Sequence, residues 1–209
     1  MAYIGSKPAN KPVVASDLDP AVITGQTALA VAPAATDEFI ISDAGVLKRL
    51  DASLVGADGI TMADQWRITA NLNTNSDPIS SNLERIDTTS QGTLGTGMTE
   101  SSGIFSFPST GIYLVRFNFV GESSSDSFAG YIYATNDNST YYELNEVFVR
   151  NNSGFNESAS METLIDVTNT SNVKVKFVSG GMAGNNNTIM YGNTNKNSTY
   201  FTFIRLGDT

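Results

Sequence analysis

The sequence predicts an all-β protein, a β-sandwich or jelly roll that follows an extended N-terminal arm. From residue 60 onward, about eight to ten short apolar or alternating segments follow one another at regular spacing. Clusters of Asn, Ser and Gly separate these segments, and such clusters form turns. No stretch has the long 3.6-residue periodicity of an amphipathic helix, and no repeat of fixed period is present. These observations favour a sandwich over any helical fold.

The arm is assigned to residues 1–59 and the sandwich to residues 60–209. Four of the six prolines lie in the first 35 residues: Pro8, Pro12, Pro20 and Pro33. Because proline fixes φ and lacks a backbone donor, we expect neither long helices nor central strands in this region. One helical turn is predicted over residues 16–23, with Ser16 or Asp17 as its N-cap.

A β-hairpin is predicted near the end of the arm. Phe39 to Ile41 form its first strand, Asp43-Ala44-Gly45 the turn, and Val46 to Leu50 the second strand. One helical turn capped by Asp51 follows. Because such a hairpin is not stable alone, we expect it to dock on a neighbouring subunit or another protein. Six apolar side chains would make this contact: Phe39, Ile40, Ile41, Leu47, Leu50 and Leu54. The alternative, a tail without fixed structure, would leave them exposed to water.

The sandwich strands are predicted in the following order. They cover residues 64–73, 78–87, a short stretch around Met98, 103–121, 128–136, 141–150, 159–167, 172–180 and 198–207. In the first of these, Trp66, Ile68, Ala70 and Leu72 alternate onto one face. The segment 103–121 forms two strands across the turn "PSTG", and Gly111 allows the tight entry into the second.

Alternation within residues 111–120 predicts which face of that strand is buried. Tyr113, Val115, Phe117 and Phe119 share the more apolar face, which should point into the core. The opposite face should contact solvent or a polar subunit surface, and it carries Ile112, Leu114, Arg116, Asn118 and Val120.

This stretch resembles the core motif of the C1q/tumour-necrosis-factor superfamily, which reads Phe, five residues, Gly, any residue, Tyr. Phe105, Gly111 and Tyr113 have that spacing, and "STYFTFIRL" at 198–206 resembles the closing strand of the family. The resemblance covers about residues 60–209 and implies a jelly roll that forms a homotrimer. It also implies that a set of aromatic side chains fills the core or lines the threefold axis: Phe105, Tyr113, Phe117, Phe119, Tyr200, Phe201 and Phe203.

The arm, beginning "MAYIGSKPANKP", resembles the N-terminal arms of structural proteins of marine bacteriophages, including cyanophages. This resemblance implies a non-enzymatic virion protein, a capsid decoration or head-fibre protein that residues 1–59 anchor to other virion proteins. The alternative is a short tail fibre or receptor-binding tip, in which loops 121–127, 151–158 and 180–197 bind host surface glycans. The resemblance also implies a final place on the virion surface, and the absence of a signal-peptide pattern after Met1 fits assembly in the bacterial host cytoplasm.

Composition excludes several other functions. The chain has no Cys and no His, which excludes disulfides, thiol nucleophiles, His-based triads and zinc sites of the usual kind. The net charge of −9 argues against nucleic acid as a partner. No run of about 18 apolar residues is present, so no membrane insertion is expected.

Carboxylate pairs and clustered aromatic residues are the remaining candidates for a site. The carboxylate pairs lie in no EF-hand or cleft motif and are interpreted as solvated surface groups: Asp37 with Glu38, Glu84 with Asp87, and Glu143 with Glu146. No cofactor, metal ion or catalytic residue is therefore expected. Trp66 and two tyrosine pairs are interpreted as core or interface residues rather than sugar-stacking residues: Tyr131 with Tyr133, and Tyr141 with Tyr142.

Overall fold

The computed structural model describes residues 24, 25, 27, 31, 33, 34, 36–55, 59–124, 127–150, 155–182 and 188–209. The chain divides into two compact units, Met1–Ala57 and Asp58–Thr209. The predicted helical turn at 16–23 lies outside the described residues. Within them, the regular elements are almost entirely antiparallel strands, which confirms the all-β prediction.

The first unit contains the predicted hairpin. Strand β1 (Glu38–Asp43) pairs antiparallel with β2 (Val46–Asp51). Ala44 and Gly45 join them with φ values of 50° and 82°, the positive angles that a two-residue type I′ turn requires. A 3₁₀ helix, Ala52–Leu54, follows.

The predicted cap of that helix is wrong in one respect. Asp51 occupies the N-cap position, but its side chain makes no capping hydrogen bond. The first helical amide is satisfied differently, because Ala52 N donates to the carbonyl oxygen of Asp37 at 2.7 Å. This bond continues the backbone ladder of the hairpin by one step beyond β2.

The second unit is a sandwich of two antiparallel sheets. Its strands within the described residues are β3 (Met62–Ile68), β4 (Leu83–Arg85), β5 (Thr99–Ser101), β6 (Ile104–Ser106), β7 (Gly111–Ser123), β8 (Phe128–Thr135), β9 (Tyr142–Val149), β10 (Glu157–Val167), β11 (Lys174–Gly180), β12 (Thr188–Met190) and β13 (Tyr200–Gly207). The six-stranded sheet has the order β10-β7-β13-β3-β4, with β12 also paired to β7. The five-stranded sheet has the order β5-β6-β11-β8-β9.

Strand β7 confirms the alternation predicted for residues 111–120. Tyr113, Val115, Phe117 and Phe119 are fully buried, whereas the residues between them are half-buried or exposed. Gly111 begins the strand with φ of 138°, as its predicted role requires.

Aromatic rings from both sheets form the centre of the core. Phe105 of β6 lies 5.2 to 5.8 Å, between ring centroids, from Phe177, Phe201 and Phe203. Phe177 of β11 and Phe201 of β13 stack with centroids 4.0 Å apart and planes 15° apart. Because Phe177 and Phe201 come from different sheets, this stack joins the two layers of the sandwich.

Strand boundaries differ from the sequence prediction near the start of the unit. Strand β3 ends at Ile68, so Ala70 is exposed and Leu72 lies outside the strand. Leu72 instead forms an isolated antiparallel bridge with Met190 of β12, a long-range pairing that no local pattern indicates. Only Leu83–Arg85 of the predicted strand 78–87 pairs with β3, and Met98 precedes β5.

The register places the chain entry and the long loops at opposite ends of the sandwich. Met62 pairs with Arg205 and Ile112 with Gly207, so β3 begins where β13 ends. We call this the entry end. Gly121 pairs with Glu157 at the other end, where the connections at 124–127, 150–156, 181–187 and 191–199 lie. We call it the loop end; residues 125–126, 151–154 and 183–187 of its connections lie outside the described residues.

Candidate assembly surfaces

The outward side of the six-stranded sheet, turned away from the aromatic core, is the first candidate surface, and we call it the assembly face. One row across it consists of apolar side chains that the register aligns: Leu164, Leu114, Ile204 and Ala63. Leu164 is 60% exposed, and Leu114 and Ile204 are half-buried. We call these four residues the apolar row. An aligned apolar row on a sheet surface favours contact with another protein surface.

The next row towards the loop end is polar and satisfied within the sheet. Arg116 Nε donates to Glu162 Oε2 at 2.9 Å. Gln65 Nε2 donates to Thr202 Oγ1 at 2.9 Å. Because the Arg116 and Glu162 side chains are about half exposed, their pair contributes little to the stability of one chain, about 0–1 kcal/mol.

A fully buried arginine lies in the third row, beside Tyr200. Arg67 of β3 donates to Glu84 Oε1 at 2.5 Å, to Asp87 Oδ1 at 2.7 Å and to Thr88 Oγ1 at 2.7 Å. The interpretation of these two as solvated carboxylates holds for Asp87, which is 76% exposed, but not for Glu84, which is half-buried, and both also pair with Arg67. Their oxygens neutralise a guanidinium that is 0% exposed, and an unpaired charge at that depth would be strongly destabilising.

A buried carboxylate, Asp64, lies on the core side of β3. Its Oδ1 accepts hydrogen bonds from Arg85 Nε at 3.1 Å and from Thr93 Oγ1 at 3.2 Å. Its Oδ2 accepts from Trp66 Nε1 at 3.0 Å and from the Met98 amide at 2.8 Å. Since both oxygens are occupied, Asp64 has no free lone pair for a substrate or metal ion. Its role is to hold β3, β4 and the segment before β5 together.

The seven aromatic residues assigned to the core or a threefold axis divide into two groups. Six are buried in the core, with at most 1% exposure: Phe105, Tyr113, Phe117, Phe119, Phe201 and Phe203. Tyr200 is half-buried and lies on the assembly face, opposite Asn118 in the register. Among these seven residues, only Tyr200 is therefore positioned to contact a neighbouring subunit.

The hairpin is the second candidate surface. Ile40 is 79% exposed, Leu54 70% and Phe39 41%, whereas Ile41 and Leu50 are half-buried. The sixth residue of the predicted contact, Leu47, has a side chain outside the described part. A shallow cavity of about 210 Å³ is lined by apolar residues: Pro33, Phe39, Ala52 and Val55. The exposed side chains and the cavity together give this small unit an apolar surface.

The tyrosines of β8 are not core residues, contrary to one part of their interpretation. Tyr131 and Tyr133 lie on the outward side of the five-stranded sheet, because the alternate residues of β8 face the core. Lys176 Nζ lies 5.3 Å from the ring centroid of Tyr133 and 4.8 Å from that of Tyr141. A hydrogen bond from Tyr133 to Glu143 at 2.6 Å raises the pKa of the tyrosine to about 12. These two rings therefore pack beside the half-buried Lys176 on the outward side of the sheet.

Groups able to perform chemistry are few in the part of the chain that the structure describes. No group of three or more carboxylates converges there in a way that would hold a metal ion. No helix among these residues is both long and apolar enough to span a bilayer.

Comparisons with known proteins support the fold. No protein family model matches the chain, and no curated protein matches its sequence. Among solved structures, the chain is similar to Eiger TNF from S. frugiperda, with a TM-score of 0.55, 14% identity, and coverage of 72% of this chain and 95% of that one. It is also similar to murine APRIL, with a TM-score of 0.53, 10% identity, and coverage of 69% and 98%.

A third structure, the PRD1 vertex protein P5, matches with 15% identity and coverage of 72% of this chain and 100% of that one. Its TM-score is 0.45, and nothing is concluded from it. At such identities a structural likeness shows the fold alone. The two higher scores, the sheet order and the buried aromatic centre agree with the motif resemblance of Phe105, Gly111 and Tyr113. The second unit is therefore a tumour-necrosis-factor-like jelly roll.

Proposed function

We propose that this protein is a non-enzymatic structural component of a virus particle, and that three copies associate through their jelly rolls. The observation that carries the trimer is the apolar row on the assembly face. The resemblance of the arm to those of phage structural proteins supports the place in a particle. The exposed apolar hairpin supports attachment to other virion proteins through residues 1–59.

A threefold ring requires a heterologous contact, in which one surface of a subunit meets a different surface of the next. The assembly face supplies the first surface. The sandwich edge formed by β9 supplies the second, because Tyr142 and Leu144 are 59% and 44% exposed there. They line a cleft of about 260 Å³, which could receive apolar side chains of a neighbour.

The arm serves as the anchor in this proposal. A two-stranded hairpin is not stable alone, and burial of Ile40 and Leu54 against a partner would stabilise it. Three arms on one trimer would bind with greater avidity than a single arm. The loop end of the jelly roll would then be the end opposite its chain entry.

The particle surface is the proposed location, with assembly in the bacterial host cytoplasm. The absence of cysteine is compatible with a reducing compartment. A capsid decoration or head-fibre role is the first choice, and a short tail fibre is the second. Copy number separates them: quantified bands of purified particles should correspond to hundreds of copies for a head protein and to a few tens at most for a tail protein.

Substitution of Ile40 tests the anchor. We expect Ile40→Glu to keep the folded jelly roll and the mass of the assembly, because this side chain is 79% exposed, but to be lost from purified particles. Ser53→Glu is the control. Ser53 is exposed in the same unit, and its substitution introduces the same charge. Deletion of residues 1–56 should have the same effect as Ile40→Glu. Incorporation of both the deletion and Ile40→Glu at the normal level would refute the anchor.

A further inference from the structure

The loop end of the assembly face is polar, in contrast to the apolar row. Two adjoining depressions of about 230 Å³ each lie there and share Val120 and Ser198 as walls. We call them together the polar groove, and its principal residues are Asn118, Ser160, Asn197, Tyr200, Tyr191 and Lys196. Strands β7, β10 and β13 provide one half of the groove, and the connection between β12 and β13 provides the other.

Two polar atoms of the groove are buried without a hydrogen-bond partner: Nδ2 of Asn118 and Oδ1 of Asn197. The orientation of Asn197 is set by its other amide atom, because Nδ2 donates to Gln65 Oε1 at 3.3 Å. Both residues line the groove, so one unmet donor and one unmet acceptor lie within its walls. Buried polar groups are rarely left unpaired, so atoms of this kind indicate a ligand contact.

The character of the groove limits the class of ligand. Among the described residues that line the two depressions, Lys196 is the one charged side chain, and the others are amides, hydroxyls, tyrosines and small residues. A phosphate or a divalent cation would require more charge of one sign. Tyr191 donates from its hydroxyl to Glu122 Oε2 at 2.9 Å, which orders this ring at the side of the groove.

We propose that the polar groove binds a neutral saccharide. Each sugar hydroxyl both donates and accepts a hydrogen bond, and so matches the unmet donor of Asn118 and the unmet acceptor of Asn197. The tyrosine rings supply apolar faces against which the C–H groups of a pyranose pack, and the Tyr200 hydroxyl supplies a polar contact. This inference goes beyond the proposed structural role and does not depend on it.

The groove and the apolar row occupy different parts of the assembly face. The apolar row lies nearer the entry end, and the Arg116 and Glu162 row separates it from Asn118 and Tyr200. A saccharide in the groove would therefore be held at the end of the jelly roll opposite its chain entry. This places recognition on the sheet face beside the loop end rather than on the loop tips.

Saturation-transfer NMR on the full chain tests the proposal, with glucose, galactose, mannose and N-acetylglucosamine as probes at ~10 mM, which suits a Kd near 1 mM. We expect transfer to at least one sugar, and a roughly tenfold weaker affinity for Asn118→Leu, which keeps the side-chain volume but loses the amide. Tyr200→Phe is a second variant, milder for folding, and should also weaken binding. The control is Asn172→Leu, an exposed asparagine at the entry end, which should bind as the parent does.

Two results would overturn the proposal. One is the absence of transfer to any of the four sugars from a folded protein, as expected if a neighbouring subunit fills the groove. The other is sugar binding that Asn118→Leu and Tyr200→Phe both leave unchanged, since the ligand would then lie elsewhere. Neither result bears on the mass of the assembly or on incorporation into particles, so the structural role is tested separately.

Discussion

Tyr200 and Phe201 are neighbours in β13, yet their side chains lie on opposite sides of the six-stranded sheet. Phe201 is 0% exposed and stacks on Phe177 across the sandwich, at 4.0 Å between centroids. Tyr200 lies on the assembly face beside the polar groove. This pair separates two roles that the sequence pattern assigned jointly to the aromatic residues: Phe201 stabilises the core, and Tyr200 is available to a partner or ligand.

Alanine substitutions at these two positions should differ strongly in their effect on folding. Phe201→Ala should lower the free energy of unfolding by about 3–5 kcal/mol, because it removes a buried ring and leaves a cavity. Tyr200→Ala should lower it by about 1 kcal/mol or less in the single chain. Urea unfolding at one fixed protein concentration measures both values, since association itself adds stability. Similar losses for the two variants would contradict the assignment of faces.

The buried carboxylate of Asp64 should contribute more to the free energy of unfolding than an exposed carboxylate does. Asp64→Asn places an amide group among donors, and leaves Trp66 Nε1 or the Met98 amide without an acceptor. We expect a loss of about 3 kcal/mol in the free energy of unfolding. Asp77→Asn is the matched control: the Asp77 side chain is 61% exposed where it pairs with Lys176, and its loss should cost about 1 kcal/mol or less. Equal losses would mean that Asp64 is not a structural carboxylate.

Substitutions in the turn of the hairpin should change its stability only through the backbone conformation that each residue prefers. A Cβ on Gly45 would meet no atom within 4 Å, so the cost of Gly45→Ala comes from its φ of 82°. We expect this variant to destabilise the hairpin by about 1 kcal/mol. Ala44→Asn should instead stabilise the hairpin by roughly 0.5 kcal/mol, since asparagine tolerates the positive φ of 50° at this position better than alanine does. Amide hydrogen exchange at Ile41 and Leu50 reports both changes, and faster exchange in Ala44→Asn would contradict the turn type.

A carboxylate in the connection between β8 and β9 should titrate unusually low. Hydrogen bonds from the Thr135 hydroxyl and from the Thr140 and Ser139 amides lower the pKa of Asp137 to about 2. The folded pKa lies below the unfolded value of ~3.9, so the carboxylate stabilises the fold above pH ~4 and loses that effect as the pH falls towards 2. Carboxyl ¹³C shifts recorded against pH measure this value. A midpoint near 4 would show that the three hydrogen bonds do not persist in solution.

The local sequence pattern was sufficient to predict the strands in which buried and exposed residues alternate without interruption. Tyr113 to Phe119 alternate with residues that tolerate water, and the structure buries the predicted face. The Ala44-Gly45 turn was likewise predictable, because glycine and short segments of β-branched and aromatic residues specify a hairpin locally. The motif spacing of Phe105, Gly111 and Tyr113 then implied the jelly roll, which the sheet order confirms.

Long-range ion pairs could not be predicted in the same way. Asp64 lies two and four residues before Trp66 and Ile68 in β3, so strand alternation places its side chain on the same, core-facing side. Its partner Arg85 lies 21 residues away, and no local pattern connects the two. Arg67 alternates onto the other side, and its burial depends on the segment that carries Glu84 and Asp87 folding over it. Contacts of this kind appear only when the chain topology is known.

The mass of the full chain in solution tests the central claim of self-association most directly. Sedimentation equilibrium should give three times the chain mass of 22.3 kDa for the parent protein. Leu114→Glu places a charge in the apolar row and should shift the mass to that of one chain, whereas Tyr131→Glu, on the other sheet, should remain trimeric. A parent protein with the mass of a single chain at micromolar concentration would contradict the proposed trimer.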